Sequence, residues 1–99
     1  MEEVAAAMNK LKSEGLIRFV GLSECTPVEL RHFHAICPVS CIQMEYSIGC
    51  REIEEDLLPC ARALGVSVVA YAPLARGLLA GMNPKDLHPH DWRQCVRFP

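Results

Sequence analysis

The residues of widest chemical repertoire in this chain are its six cysteines and four histidines, and their spacing does not gather them into a site. Cys37 and Cys41 stand four apart with Pro38 between them, which is not the two-residue gap of a zinc knuckle, and no second pair follows. The nearby His32 and His34 keep a metal reading open, but packing is the better account, because free cysteine behaves mainly as a small apolar side chain. His88 and His90 fall in a loop-like stretch with Asp91, so a nucleophilic Cys–His pair has no positional support. Neither a G-x-G-x-x-G fingerprint nor a P-loop is present to cradle a phosphate, and there is no G-x-S-x-G elbow. What remains is polar groups where a core would be apolar: Ser23 with Glu24, Gln43 to Tyr46, and Tyr71 to Gly77. An inward-pointing Gln43 is the most telling, since a buried amide needs partners for its donors and its acceptor. Each also has a purely structural reading, with Gln43 bonded to neighbouring backbone, Tyr71 a core aromatic and Ser23 a capping loop residue.

The elements that must position these groups alternate between helix and strand. Val4, Met8 and Leu11 recur at helical intervals between Glu2 and Glu14, with Gly15 at the C-terminal stop. The stretch from Leu16 to Leu22 reads as a strand buried on both faces. Thr26, Pro27 and Glu29 open a second helix, which runs out near Pro38. From Cys41 to Ile48 a strand places Gln43 and Glu45 on one side and Ile42, Met44 and Tyr46 on the other. A third helix spans Glu52 to Leu64, with a bend expected at Pro59 and a stop at Gly65. Val66 to Tyr71 is the clearest strand; a turn from Ala72 to Gly77 follows, and 82–99 is a loop-like tail. Strand starts recurring about every 25 residues describe βα units, which force a parallel sheet with ligands bound beyond the carboxyl ends of the strands. The fold class is therefore α/β, and periodicity leaves an open sheet and a barrel equally available. Three strands close no barrel, which needs about 250 residues, so a barrel reading makes this an incomplete (β/α)8 TIM barrel.

Composition narrows the partners. The 99 residues are 51% hydrophobic and 22% charged, as in globular chains, and carry a net charge of −2. The Lys and Arg residues form no stripe, which argues against nucleic acid. No apolar run approaches the ~20 residues of a bilayer span, which argues against a membrane role. The acidic start Met1-Glu2-Glu3-Val4 is unlike a secretory signal, so reduced thiols and a cytoplasmic location are expected.

Three segments in register carry a resemblance: Glu14 to Glu24 (EGLIRFVGLSE), Gln43 to Ser47 (QMEYS) and Ala70 to Gly77 (AYAPLARG). Together they closely resemble the aldo-keto reductase family, most like its plant subgroup, over nearly the whole chain as strands five to seven of the barrel. The resemblance implies NADPH-dependent reduction of an aldehyde or ketone to an alcohol on a (β/α)8 barrel without a Rossmann domain. It also implies that Ser23 and Gln43 bind the nicotinamide carboxamide and that Tyr71 stacks on the nicotinamide ring. Ala72, Leu74, Arg76 and Gly77 lie on the cofactor's path, the last three along the pyrophosphate. Such roles suit the residue types, because an amide recognises an amide and an aromatic face fixes which side of the ring donates hydride.

The chain departs from the family pattern in two places. Glu24 stands where Asn is common, and Ala72-Pro73-Leu74-Ala75 where Ser-Pro-Leu-Gly is common. The family's Tyr, Lys, Asp and His tetrad belongs to strands matching nothing here, and the segment that grips the 2′-phosphate lies past Pro99. The resulting expectation is a family fragment that keeps cofactor-binding residues, has no catalytic residue or metal, and takes a small-molecule carbonyl only in the full-length family. The alternative is a non-catalytic cofactor-sensing or interaction module of the same fold, as in the related potassium-channel β subunits. Unpaired outer strands would also favour self-association.

Overall fold

The computed structural model describes residues 1–95; positions 96–99 of the expected tail lie outside the described residues. Helix α1 (Glu2–Ser13) carries Glu2 and Glu3 in its first turn and Lys10 and Lys12 in its last, each sign matched to the helix dipole. Gly15 then turns the chain at φ +73°, a conformation that glycine adopts without steric cost. Strand β1 is only Gly21–Ser23, shorter than the Leu16–Leu22 expected, and it is not buried on both faces, because Gly21 and Ser23 are exposed. The reason is on the neighbouring strand. The first bond between the two is from the Ser40 N–H to the Val20 carbonyl (2.8 Å), while the preceding Val39 N–H donates to His34 Nδ1 (3.2 Å).

Helix α2 (Pro27–Ile36) starts with a complete capping box. The Glu29 N–H donates to Thr26 Oγ1 (3.3 Å), while Glu29 Oε2 accepts from the Thr26 N–H (2.8 Å). These bonds hold the Glu29 carboxyl below its ordinary pKa. Strand β2 (Cys41–Glu45) ends three residues before Ile48, because the chain turns back where the Ser47 and Cys50 backbones bond each other. The single helix expected from Glu52 to Leu64 is a 3-10 turn (Glu52–Glu54) and then helix α3 (Leu57–Ala63). The break precedes Pro59 instead of sitting at it. A continuous helix would drive the proline ring into the Glu55 carbonyl, whereas in the first turn of α3 its missing N–H has no duty. Gly65 ends α3 at φ +68°, and strand β3 (Ser67–Tyr71) follows as expected. Short 3-10 turns at Ala75–Ala80, Pro84–Asp86 and Trp92–Cys95 occupy the remainder.

The strands form one parallel sheet in the order β1-β2-β3. All the helices lie against the face that carries Ile42 and Met44, and the core joins these to Ala5, Leu30, Phe33 and Leu57. Burying a side chain such as Leu30 or Ile42 contributes about 1.5–3 kcal/mol. The opposite face has no helix, and Gln43 and Val69 are exposed there. Among the described residues no helix is long and apolar enough to cross a membrane.

Replacing Thr26 by Ala removes a cap acceptor from α2, and the expected cost is about 1 kcal/mol of stability, read as a lower urea midpoint with unchanged slope. An unaltered midpoint would show that the box contributes nothing.

Candidate functional site

Because side chains alternate along a strand, parallel pairing puts register partners on the same face. Ser23 pairs with Gln43 and Gln43 with Val69, while Glu45 pairs with Tyr71 two residues further on. Ser23, Gln43 and Tyr71 therefore share the helix-free face at the carboxyl ends of the strands. Gln43 is exposed on that face and is not the buried amide that its position in a strand suggested. Its strand neighbours Ile42 and Met44 took the buried side, leaving the amide open to an external partner.

Beyond the strand ends, acidic groups bind the rim together. Glu24 has φ +49°, and its N–H donates to the Gln43 carbonyl (3.1 Å). Asparagine tolerates this left-handed backbone better than glutamate. The longer side chain nonetheless reaches two further groups. Glu24 Oε1 accepts the Glu45 N–H (3.3 Å), and the Glu24 carboxylate beside the Tyr71 hydroxyl pushes the phenol pKa up. Glu45 in turn takes Arg76 in a two-pronged pair, Nη1 to Oε1 at 2.7 Å and Nη2 to Oε2 at 3.0 Å.

The loop after β3 brings Arg76 there by an unusual backbone. Ala72, Ala75 and Arg76 all have positive φ (49°, 48° and 56°), and Gly77 follows at 104°. The loop is closed by its own bonds, from the Ala75 N–H to the Ala72 carbonyl (2.8 Å) and from the Gly77 N–H to the Leu74 carbonyl (3.0 Å). Leu74 points to solvent and Ala75 is buried. Arg93 Nη1 donates to the Arg76 carbonyl (3.4 Å) from the far side. Arg93 is itself held by Asp91, through Nε (3.0 Å) and Nη2 (2.8 Å). Those side-chain bonds, with a backbone one, hold the Asp91 carboxyl at about 2 against an ordinary 3.8.

The structure thus brings Ser23, Gln43 and Tyr71 to one face and Arg76 and Gly77 to the rim beside them, while Leu74 and Ala72 belong to the connecting turn. Glu45 was not singled out from sequence, although its place two residues after Gln43 already assigned it to the same face. On the opposite side, an open cleft of about 460 Å³ lies beside Tyr46, Ile48 and Ala70. There the Tyr46 hydroxyl donates to Glu54 (2.6 Å), which also pairs with Arg51. Among the described residues no three His, Cys, Asp or Glu converge as metal ligands.

The profile of the Aldo/keto reductase family matches residues 1–97. The chain belongs to the aldo/keto reductase family. It is 44% identical over 101 residues to an aldo-keto reductase of Strobilurus tenacellus, covering 97% of this chain and 30% of that protein. The glycerol dehydrogenase of Gluconobacter oxydans superposes with a TM-score of 0.86 at 37% identity, over 93% of this chain and 29% of that one. An aldo-keto reductase of Bacillus halodurans, solved in its holo form, gives 0.71 at 36% identity, over 90% of this chain and 29% of its own. The chain therefore spans about 30% of the length of the relatives it matches, and its sheet corresponds to part of an aldo/keto reductase barrel.

Two outcomes follow from the loop. Ala75→Gly relieves a left-handed alanine, so the unfolding free energy should rise by up to about 1 kcal/mol. A lower urea midpoint would mean that the buried methyl outweighs the strain. For Asp91 the folded pKa lies below the unfolded value, so its contribution is present above pH 3.8 and lost as pH falls toward 2. A carboxyl-carbon NMR titration should show a midpoint at about 2, returning toward 3.8 in Arg93→Met; a midpoint near 3.8 in the unsubstituted chain would deny the pair.

Proposed function

We propose that this stretch is the nicotinamide-holding part of an NADPH-dependent carbonyl reductase. The observation that carries the reading is the convergence of Ser23, Gln43 and Tyr71 on one helix-free face at the carboxyl ends of parallel strands. That the Bacillus halodurans relative was solved in a holo form supports a bound cofactor in proteins of this fold.

The donor set fits that cofactor. Gln43 and Ser23 sit on adjacent strands, about 4.8 Å apart, and offer an amide and a hydroxyl to a carboxamide. Tyr71 is half-buried, so part of its ring offers a surface against which a flat heterocycle can stack. Arg76 supplies positive charge at the rim, and Gly77 at φ +104° lets the chain turn there without a side chain. When bound, the nicotinamide supplies hydride to a carbonyl carbon. The chain's own residues seat and orient it, and none of them takes the place of the family's Tyr, Lys, Asp and His, so proton donation falls to parts of the barrel not represented in these residues. A small-molecule carbonyl is the substrate class of that larger barrel. Cys25, Cys37, Cys41, Cys50 and Cys60 are all free, which supports a cytoplasmic setting.

Calorimetric titration with NADPH tests the reading. Binding to the chain is expected, weakened about tenfold in Gln43→Ala through the lost amide contacts and by a similar factor in Tyr71→Ala. No oxidation of NADPH should accompany it on a panel of aldehydes. Absence of binding at millimolar NADPH would overturn the seat; turnover at the rate of an intact reductase would overturn the assignment of the acid elsewhere. Binding without turnover is also what a cofactor-sensing module would give, and dependence on an added partner protein would favour that second role.

A further inference from the structure

We propose that Glu45 is an internal competitor for phosphate at Arg76 and so sets how tightly this rim accepts a dinucleotide. The inference rests on the cofactor reading above and deepens it. Arg76 presents its guanidinium edge to both oxygens of Glu45, at 2.7 and 3.0 Å, with the two side chains only 28% and 26% exposed. A bidentate carboxylate occupies the same fork that would receive a phosphate.

The second guanidinium offers no relief. Arg93 spends Nε and Nη2 on Asp91 and directs Nη1 to the Arg76 carbonyl. Both described guanidiniums of this rim are therefore already matched to carboxylates, and a phosphate gains Arg76 only by displacing Glu45.

Displacement has a cost that the neighbours set. Glu24 lies against the Glu45 backbone, its Oε1 accepting the Glu45 N–H (3.3 Å). A Glu45 carboxylate released from Arg76 thus stays beside a second carboxylate with its own charge no longer matched, and like charges repel. With no anion present the Glu45–Arg76 pair is the favoured arrangement. The pyrophosphate of a dinucleotide carries two charges and more acceptor oxygens than one carboxylate, so it replaces Glu45 at Arg76, but with an apparent affinity lowered by the competition.

The test compares the unsubstituted chain with Glu45→Gln by calorimetry, using three probes: NADPH, inorganic pyrophosphate and reduced nicotinamide riboside, which has no phosphate. Glu45→Gln should bind NADPH and pyrophosphate about fivefold tighter and leave the riboside unchanged. NADPH bound equally by both proteins would overturn the competitor and leave the cofactor reading standing. NADPH bound by neither would remove the cofactor reading and the competitor with it. A tighter riboside as well would show a general loosening of the site and also refute competition. Should Glu45→Gln fail to fold, the Glu45 carboxyl-carbon NMR signal of the unsubstituted chain decides: it should move as pyrophosphate saturates Arg76, and a stationary signal would end the proposal.

Discussion

The alternation of side chains along β2 is the constraint on which the rest of this structure depends. Ile42 and Met44 are buried against the helices, which leaves Gln43 and Glu45 no choice but the opposite face. Since β2 is the central strand, that choice passes through register to Ser23 on one side and to Val69 and Tyr71 on the other. A slip by one residue would put Gln43 into the apolar core and Ile42 among the carboxylates of the rim. An amide stripped of water without partners costs several times the net worth of a hydrogen bond. The hydrophobic contacts that stabilise the fold thus also collect the polar groups of the site.

Backbone strain is concentrated at the same end. Glu24, Ala72, Ala75 and Arg76 are the non-glycine residues with positive φ among those described, and all of them lie just past the carboxyl end of a strand. Such residues persist only where surroundings overdetermine them. Here the surroundings are visible: Glu24 is held by the Gln43 carbonyl and by the Glu45 N–H, and Arg76 by the Glu45 carboxylate and by Arg93 at its carbonyl. The opposite end, by contrast, turns on Gly15 and Gly65, where a left-handed φ is cheap. The two ends of the sheet differ accordingly, one built for connection and the other holding side chains in fixed positions.

Local chemistry was legible in the sequence and long-range pairing was not. Thr26, Pro27 and Glu29 announce α2 because a capping box is complete within four residues, and Gly15 and Gly65 announce helix ends because the conformation they permit is local. The length of β1 was hidden, since it depends on where pairing with the next strand begins, a contact between Val20 and the distant Ser40. Pro59 suggests a bend within a helix, whereas the structure starts a new helix two residues before it, which keeps the proline ring clear of the Glu55 carbonyl. Of the site, the residues in recognisable motifs were legible. The bond between Glu45 and Arg76 was not, because 31 residues separate the two and no period relates them.

The Glu24 position shows how the remaining pieces fit. A residue just past β1 must take a left-handed backbone so that its N–H can meet the Gln43 carbonyl, and asparagine does this at lower cost than glutamate. Glutamate brings one compensation that a shorter side chain would have difficulty reaching, the Glu45 N–H. It thereby ties the end of β1 to β2 and sets its charge beside the Tyr71 hydroxyl of β3. The same carboxylate adds negative charge beside Glu45, which makes the pairing of Glu45 with Arg76 more necessary and the arrival of another anion less easy. One carboxylate thus both borders the Tyr71 hydroxyl and raises the negative charge around the Glu45–Arg76 pair.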